Sequence, residues 1–215
     1  MESPHKSKKT AATVAGLTVS SAVHAKAEPA ESATAFLQQI KSSDENVASA
    51  AWQNAHDFGA SVVKPLASLL TDSNFEIARN AKRALYDIVR YAGRPGAEKD
   101  AHAVETELVA CLKDPSAVIR RQALWLLSEV GGNSAVKPMA NLLSDTEARE
   151  DARCALLRIP GQEPLRALRA ALKSAPEDFR FALADGLRSR GEAVEGYPSR
   201  KKLPTKQTSV TGPGA

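Results

Sequence analysis

One stretch of this chain is written twice. Val62-Val63-Lys64-Pro65-Leu66-Ala67-Ser68-Leu69-Leu70-Thr71-Asp72 returns 73 residues later as Ala135-Val136-Lys137-Pro138-Met139-Ala140-Asn141-Leu142-Leu143-Ser144-Asp145. A weaker copy, Val104 to Asp114, lies between them. Duplication at that grain means that the fold is assembled from repeats, each too small to bury its own apolar face and each completed by its neighbours. Few other sequence features restrict the reachable folds so strongly.

The repeats read as pairs of helices. In the second unit, Val62, Val63, Leu66, Leu69 and Leu70 recur at helical spacing and predict helix A over about 61–70, with Pro65 in its first turn. Asp72 then serves as turn residue and N-cap for helix B over about 73–91, whose stripe is Ile77, Ala81, Ala84, Leu85 and Ile88. Gly93-Arg94-Pro95-Gly96 ends it. The third unit predicts helices over about 100–112 and 115–130, joined by Asp114-Pro115 and stopped by Gly131-Gly132. A fourth follows through Pro138 and Asp145 to Pro160-Gly161, and a fifth runs from Pro164 to Gly191. The first unit, about 31–58, is a degenerate version. Aromatics at 5% and abundant Ala and Leu favour close-packed helices over sheets.

The xVKPLxxLLxD segment, the run Asp114 to Leu124 and the Arg-Ala spacing of the B helices resemble HEAT repeats, in particular the short bacterial kind also found in phycobilisome lyases. The resemblance covers 31–190. It implies an all-α fold, a right-handed α-solenoid of about five HEAT-like helical hairpins, with the B helices lining the concave side. Two departures stand out, the poorly matching first unit and the long B helix and loop at 73–100.

On this reading 1–30 is an extension or signal peptide, 31–190 the solenoid, and 191–215 a basic, proline-punctuated tail too polar to fold alone. Lys6, Lys8 and Lys9 precede an uncharged stretch with small-x-small sites ending at Ala25 or Ala27, a signal-peptide outline diluted by Thr and Ser. A cytoplasmic location is expected, with export the alternative if 1–25 or 1–27 is a signal peptide. The net charge of +4 resides in the two ends, and 31–190 is neutral, so composition makes no case for nucleic acid. Cys111 and Cys154 are too few for a disulfide framework; both occupy positions expected to be apolar and are read as buried, unreactive thiols.

The chain offers little for catalysis. His5, His24, His56 and His102 are scattered, with no HExxH and no Cys/His cluster of zinc spacing. The His-Glu dipeptides that some HEAT-like hydroxylases carry are missing, as are phosphate-binding glycine loops and a GxSxG elbow. No cofactor, metal or catalytic residue is expected. Asp72, Asp114 and Asp145 recur once per repeat, which fits capping better than catalysis.

What remains is a series on the B helices: Arg79, Arg83, Arg120, Arg121, Arg149 and Arg153, with Trp125 among them. Arginines beside an aromatic match the composition of binding hot spots and would suit an acidic protein or peptide partner. The same arginines would also be accounted for by pairing with the turn aspartates of neighbouring units. The expected function is a non-enzymatic protein-interaction scaffold working through the concave B-helix face. Two alternatives stay open: a bilin-lyase-like or lyase-chaperone-like tetrapyrrole protein, implied by the repeat subtype alone, and nucleic-acid binding through the basic tail.

Overall fold

Helical periodicity in every unit becomes a helix pair in the computed structural model, which describes residues 29–198. Ten α-helices form five successive hairpins: α1 (Pro29–Ile40) with α2 (Glu45–Gln53), α3 (Val63–Ser68) with α4 (Phe75–Ala92), α5 (Glu98–Cys111) with α6 (Ala117–Val130), α7 (Asn133–Asn141) with α8 (Arg149–Arg158), and α9 (Glu163–Ser174) with α10 (Glu177–Ser189). No strand occurs among the described residues. The fold is all-α, a solenoid of HEAT-like hairpins.

Two layers result from the stacking. The second helices pack in sequence order, α2 on α4, α4 on α6, α6 on α8 and α8 on α10. The first helices do the same from α3 through α5 and α7 to α9. Between the layers runs one continuous core, built mainly from Leu, Ile, Val and Ala, with Phe36, Leu66, Leu85, Leu108, Leu127, Met139, Leu156 and Phe179 fully enclosed. Small residues such as Ala81, Ala84, Ala123, Ala152 and Ala155 line the seam of the B layer and let its helices approach closely.

The turn aspartates do a different task from the one expected. Asp72, Asp114 and Asp145 are not N-caps, because α4, α6 and α8 start three to four residues later. Each accepts a hydrogen bond from the backbone N–H two residues on, at Asn74 (2.8 Å), Ser116 (2.8 Å) and Glu147 (2.9 Å). Each also donates its own N–H to the end of the preceding helix, at Leu69, Cys111 and Leu142. They are Asx turns that fold the hairpin, and α4 takes its cap from Asn74, whose side chain accepts from the Glu76 N–H.

Helix A of the second unit is also shorter than its periodicity suggested. A 3-10 segment, Ala55–Val62, precedes α3, with Gly59 at φ 53°, ψ −138° inside it. Only glycine reaches that conformation without strain, so the chain kinks there. Pro65 is the third residue of α3, within its first turn, whereas Pro138 lies sixth in α7, where it removes a ladder bond. One buried carboxylate ties the A layer together: Glu105 of α5, 6% exposed, accepts from the Gly132 N–H (3.1 Å) and the Ser134 hydroxyl (2.7 Å) at the start of α7. A negative charge at a helix N-terminus is favourable there.

Beyond α10 the chain stays in contact with the last hairpin. Val194 packs on the core, its carbonyl accepts from Arg188, Glu192 pairs with Arg169, and Tyr197 meets Phe181 edge to face. The readings of a signal peptide within 1–27 and of the basic cluster at 200–206 lie outside the described residues. No helix among the described residues is long and apolar enough to cross a membrane.

Candidate binding face

The B layer carries the seven residues singled out in the sequence, but they do not form a ladder of free guanidinium groups. Arg120 is 9% exposed. Its Nε reaches Asp145 (2.9 Å), one terminal nitrogen reaches Glu147 (3.0 Å), and the other donates to the carbonyls of Asp114 (2.9 Å) and Pro115 (2.7 Å). Arg121 pairs with Asp151 of α8 at 2.7 Å, and Arg149 pairs with Asp178 of α10 at 2.7 Å while lying over the Phe179 ring. Arg153 bonds Glu150 on its own helix at 2.8 Å. These four guanidiniums are therefore committed, and three of them staple one hairpin to the next. The cause is the stacking itself, which brings the acidic turn or first B-helix turn of each unit against the arginines of the unit before it.

Arg79, Arg83 and Trp125 are placed differently. Arg79 pairs with Glu76 through a terminal nitrogen, and its buried Nε has no acceptor among the described residues. Arg83 lies over the Trp52 ring at 5.1 Å and meets no carboxylate among the described residues. Trp125 is 43% exposed, with Arg158 over its ring at 5.1 Å. Cys154 corrects an expectation: it is exposed, beside Arg153, because it falls on the outward side of α8 next to the buried pair Ala155 and Leu156. Cys111 is buried as expected, and burial pushes its thiol up to about 11.

One constellation escaped the sequence. His56, in the kinked segment, shares Asp87 of α4 through both its backbone N–H (2.9 Å) and Nδ1 (2.7 Å). Its ring stacks on Tyr91 at 4.4 Å, and Arg94 covers that same tyrosine at 3.8 Å while pairing with Asp100 of α5 at 2.9 Å. Together they edge an open cleft of about 390 Å³. The other ring nitrogen, Nε2, lies 3.8 Å from Asp57. The lining brings no thiol, lysine or aliphatic hydroxyl to this imidazole. The group thus acts as a pin that fastens the kink to α4 and α5. Its partners are 31 residues apart, so no local motif announces them; the only signal was the irregular length of 73–100.

Among the described residues no group of three His, Cys, Asp or Glu side chains is placed to hold a metal ion. No family model matches the chain, and no curated protein matches it. Solved structures similar to it include an engineered protein at 20% identity, covering 72% of this chain and 77% of that one with a TM-score of 0.37. Another is a designed armadillo repeat protein in complex with the peptide (KR)4, at 19% identity over 73% of this chain and 87% of that one, TM-score 0.36. A second designed armadillo repeat protein gives 16% identity over 72% and 98%, TM-score 0.33. Scores of that size carry no argument about function, and the repeat architecture rests on the helix pairing described above.

Proposed function

We propose that this protein is a non-enzymatic interaction scaffold that holds a segment of a partner protein against its B layer. One observation carries the reading. Among the described residues, the large apolar side chains left in water are Val47, Phe75, Tyr91, Val118 and Trp125, and all five lie on B helices, α2, α4 and α6. Val118 and Trp125, seven residues apart, share one face of α6, and an exposed apolar pair there favours a partner. Trp125, set between Arg121, Glu129 and Arg158, has the aromatic-and-arginine composition of a binding hot spot.

The test uses the full chain as bait and compares it with Trp125→Ala plus Val118→Ser. Val118 is 55% and Trp125 43% exposed and neither belongs to the enclosed core, so the thermal midpoint should move little. Affinity for a partner identified by cross-linking should fall about 30-fold or more, as hot-spot truncation does. Undiminished binding by the double variant overturns the B-layer reading.

A further inference from the structure

Of the six B-helix arginines singled out in the sequence, all but Arg83 are tied to carboxylates among the described residues. Arg120, Arg121, Arg149 and Arg153 of α6 and α8 are tied to carboxylates. Toward the N-terminal end the pattern changes. A groove of about 450 Å³ opens between the start of α2 and the first half of α4, lined by Lys41, Arg79 and Arg83 and by the carboxylates Glu45 and Glu76. Glu76 is matched by Arg79. No carboxylate contacts Lys41, Arg83 or the adjacent exposed Lys82 among the described residues. The floor is fixed by Asn80, 7% exposed, whose amide donates to the Ile40 carbonyl at 3.5 Å across the two hairpins.

We infer that this groove receives a carboxylate-rich segment of a partner protein, with Arg83 and Lys41 as its principal anchors. The inference rests on the scaffold reading and names the chemistry of its ligand. Charge complementarity favours the groove: an acid arriving at α6 or α8 would have to displace an existing carboxylate, whereas here Lys41 and Arg83 outnumber Glu45, the one carboxylate of the lining that Arg79 does not match. Arg83 is also held in place. Its place over the Trp52 ring reduces the side-chain freedom to be lost when a carboxylate pairs with it. Phe75, 73% exposed beside the groove residues Asn74 and Glu76, gives an apolar residue of the same segment a surface to cover.

The probe is a fluorescein-labelled peptide of Glu-Glu-Leu repeats, with the matching Lys-Lys-Leu peptide as its opposite, read by anisotropy on the full chain. The acidic peptide should bind and weaken as salt is raised. Arg83→Gln with Lys41→Gln should reduce its affinity about ten-fold, and Arg121→Gln with Arg153→Gln less than about two-fold. Because Arg83 packs on Trp52, Lys41→Gln with Lys82→Gln serves as a second variant confined to lysines, and it too should weaken binding. Equal binding by all variants, or loss confined to the Arg121 and Arg153 pair, overturns the groove while leaving the B-layer reading intact. Binding of the basic peptide alone, or of neither, overturns the acidic chemistry. The scaffold reading itself falls only with the Trp125 and Val118 experiment on a natural partner.

Discussion

Arg120 and Cys111 show how far a side chain's role depends on the neighbour that sequence does not display. Arg120 reads as an exposed member of an arginine series, yet four acceptors from two hairpins close around it. Removing one partner of such a buried group costs about 3–5 kcal/mol, because the other charges are left without compensation. Arg121, one residue on, is 56% exposed at its side chain and makes a surface pair of small worth. Cys111 gives a pH-dependent consequence. Its folded thiol ionises only near about 11, while the unfolded chain releases the proton near the ordinary value of about 9. Above that lower value the unfolded state binds fewer protons than the folded one, so stability falls as pH rises. The contribution is complete below about pH 9 and is lost by about pH 11, with a magnitude on the order of 2 kcal/mol. Urea unfolding across that interval should show a shallower decline for Cys111→Ala than for the parent, even though the variant is less stable at neutral pH. Parallel declines would sink the assignment. Cys154, exposed, should meanwhile be alkylated at neutral pH while Cys111 stays protected.

At the scale of the element, the hairpin is set by a turn rather than by a cap. Asp72, Asp114 and Asp145 were legible as recurrent turn residues, but the choice between N-cap and Asx turn depends on where the helix starts. A two-residue shift of α4 and α6 relative to the apolar pattern decided it. Periodicity located all five hairpins, since core positions must repeat at helical spacing whatever the turns do. It failed at 55–62, where Gly59 and the His56–Asp87 contact impose a kink that competes with helix continuation. The three aspartates are now separable by experiment. Replacing Asp72 or Asp114 with Ala should cost about 1 kcal/mol, one turn hydrogen bond each. Asp145→Ala should cost at least twice that, because Asp145 also holds the Arg120 guanidinium at 2.9 Å. Chemical denaturation of the three variants gives the order directly, and equal losses would show that the Arg120 pair contributes nothing.

For the whole molecule, the arginines of the B layer were legible in the sequence, but not the groups that hold them. The sequence displayed arginines on the B helices but not the acids of the next unit that bind them, because those partners are 25 to 30 residues distant and meet only when hairpins stack. Exposed apolar residues such as Val118 and Phe75 were equally hidden, since periodicity does not say which side of a helix a second layer leaves open. The stacked plan has a consequence for stability along the chain. Each hairpin touches only its neighbours, so an interior unit is held from both sides and an end unit from one. The third hairpin has the densest set of ties: Arg120 and Arg121 reach the fourth, Glu105 holds the start of α7, and α4 packs on α6. The first hairpin relies on α2 against α4, the Phe36–Phe58 stack, Arg83 over the Trp52 ring and one long bond from Asn80. Amide exchange should therefore be slowest in α6 and the second half of α4, and faster in α1, α2, α9 and α10. Sub-global opening of the ends should come at a lower free energy than opening of the centre. Asp145→Ala should then accelerate exchange in α8 and beyond more than in α3 and α4, because it loosens one interface of a nearest-neighbour array. Uniform acceleration across all ten helices would mean that the molecule opens as a single cooperative unit, and that the staples between hairpins do not divide it.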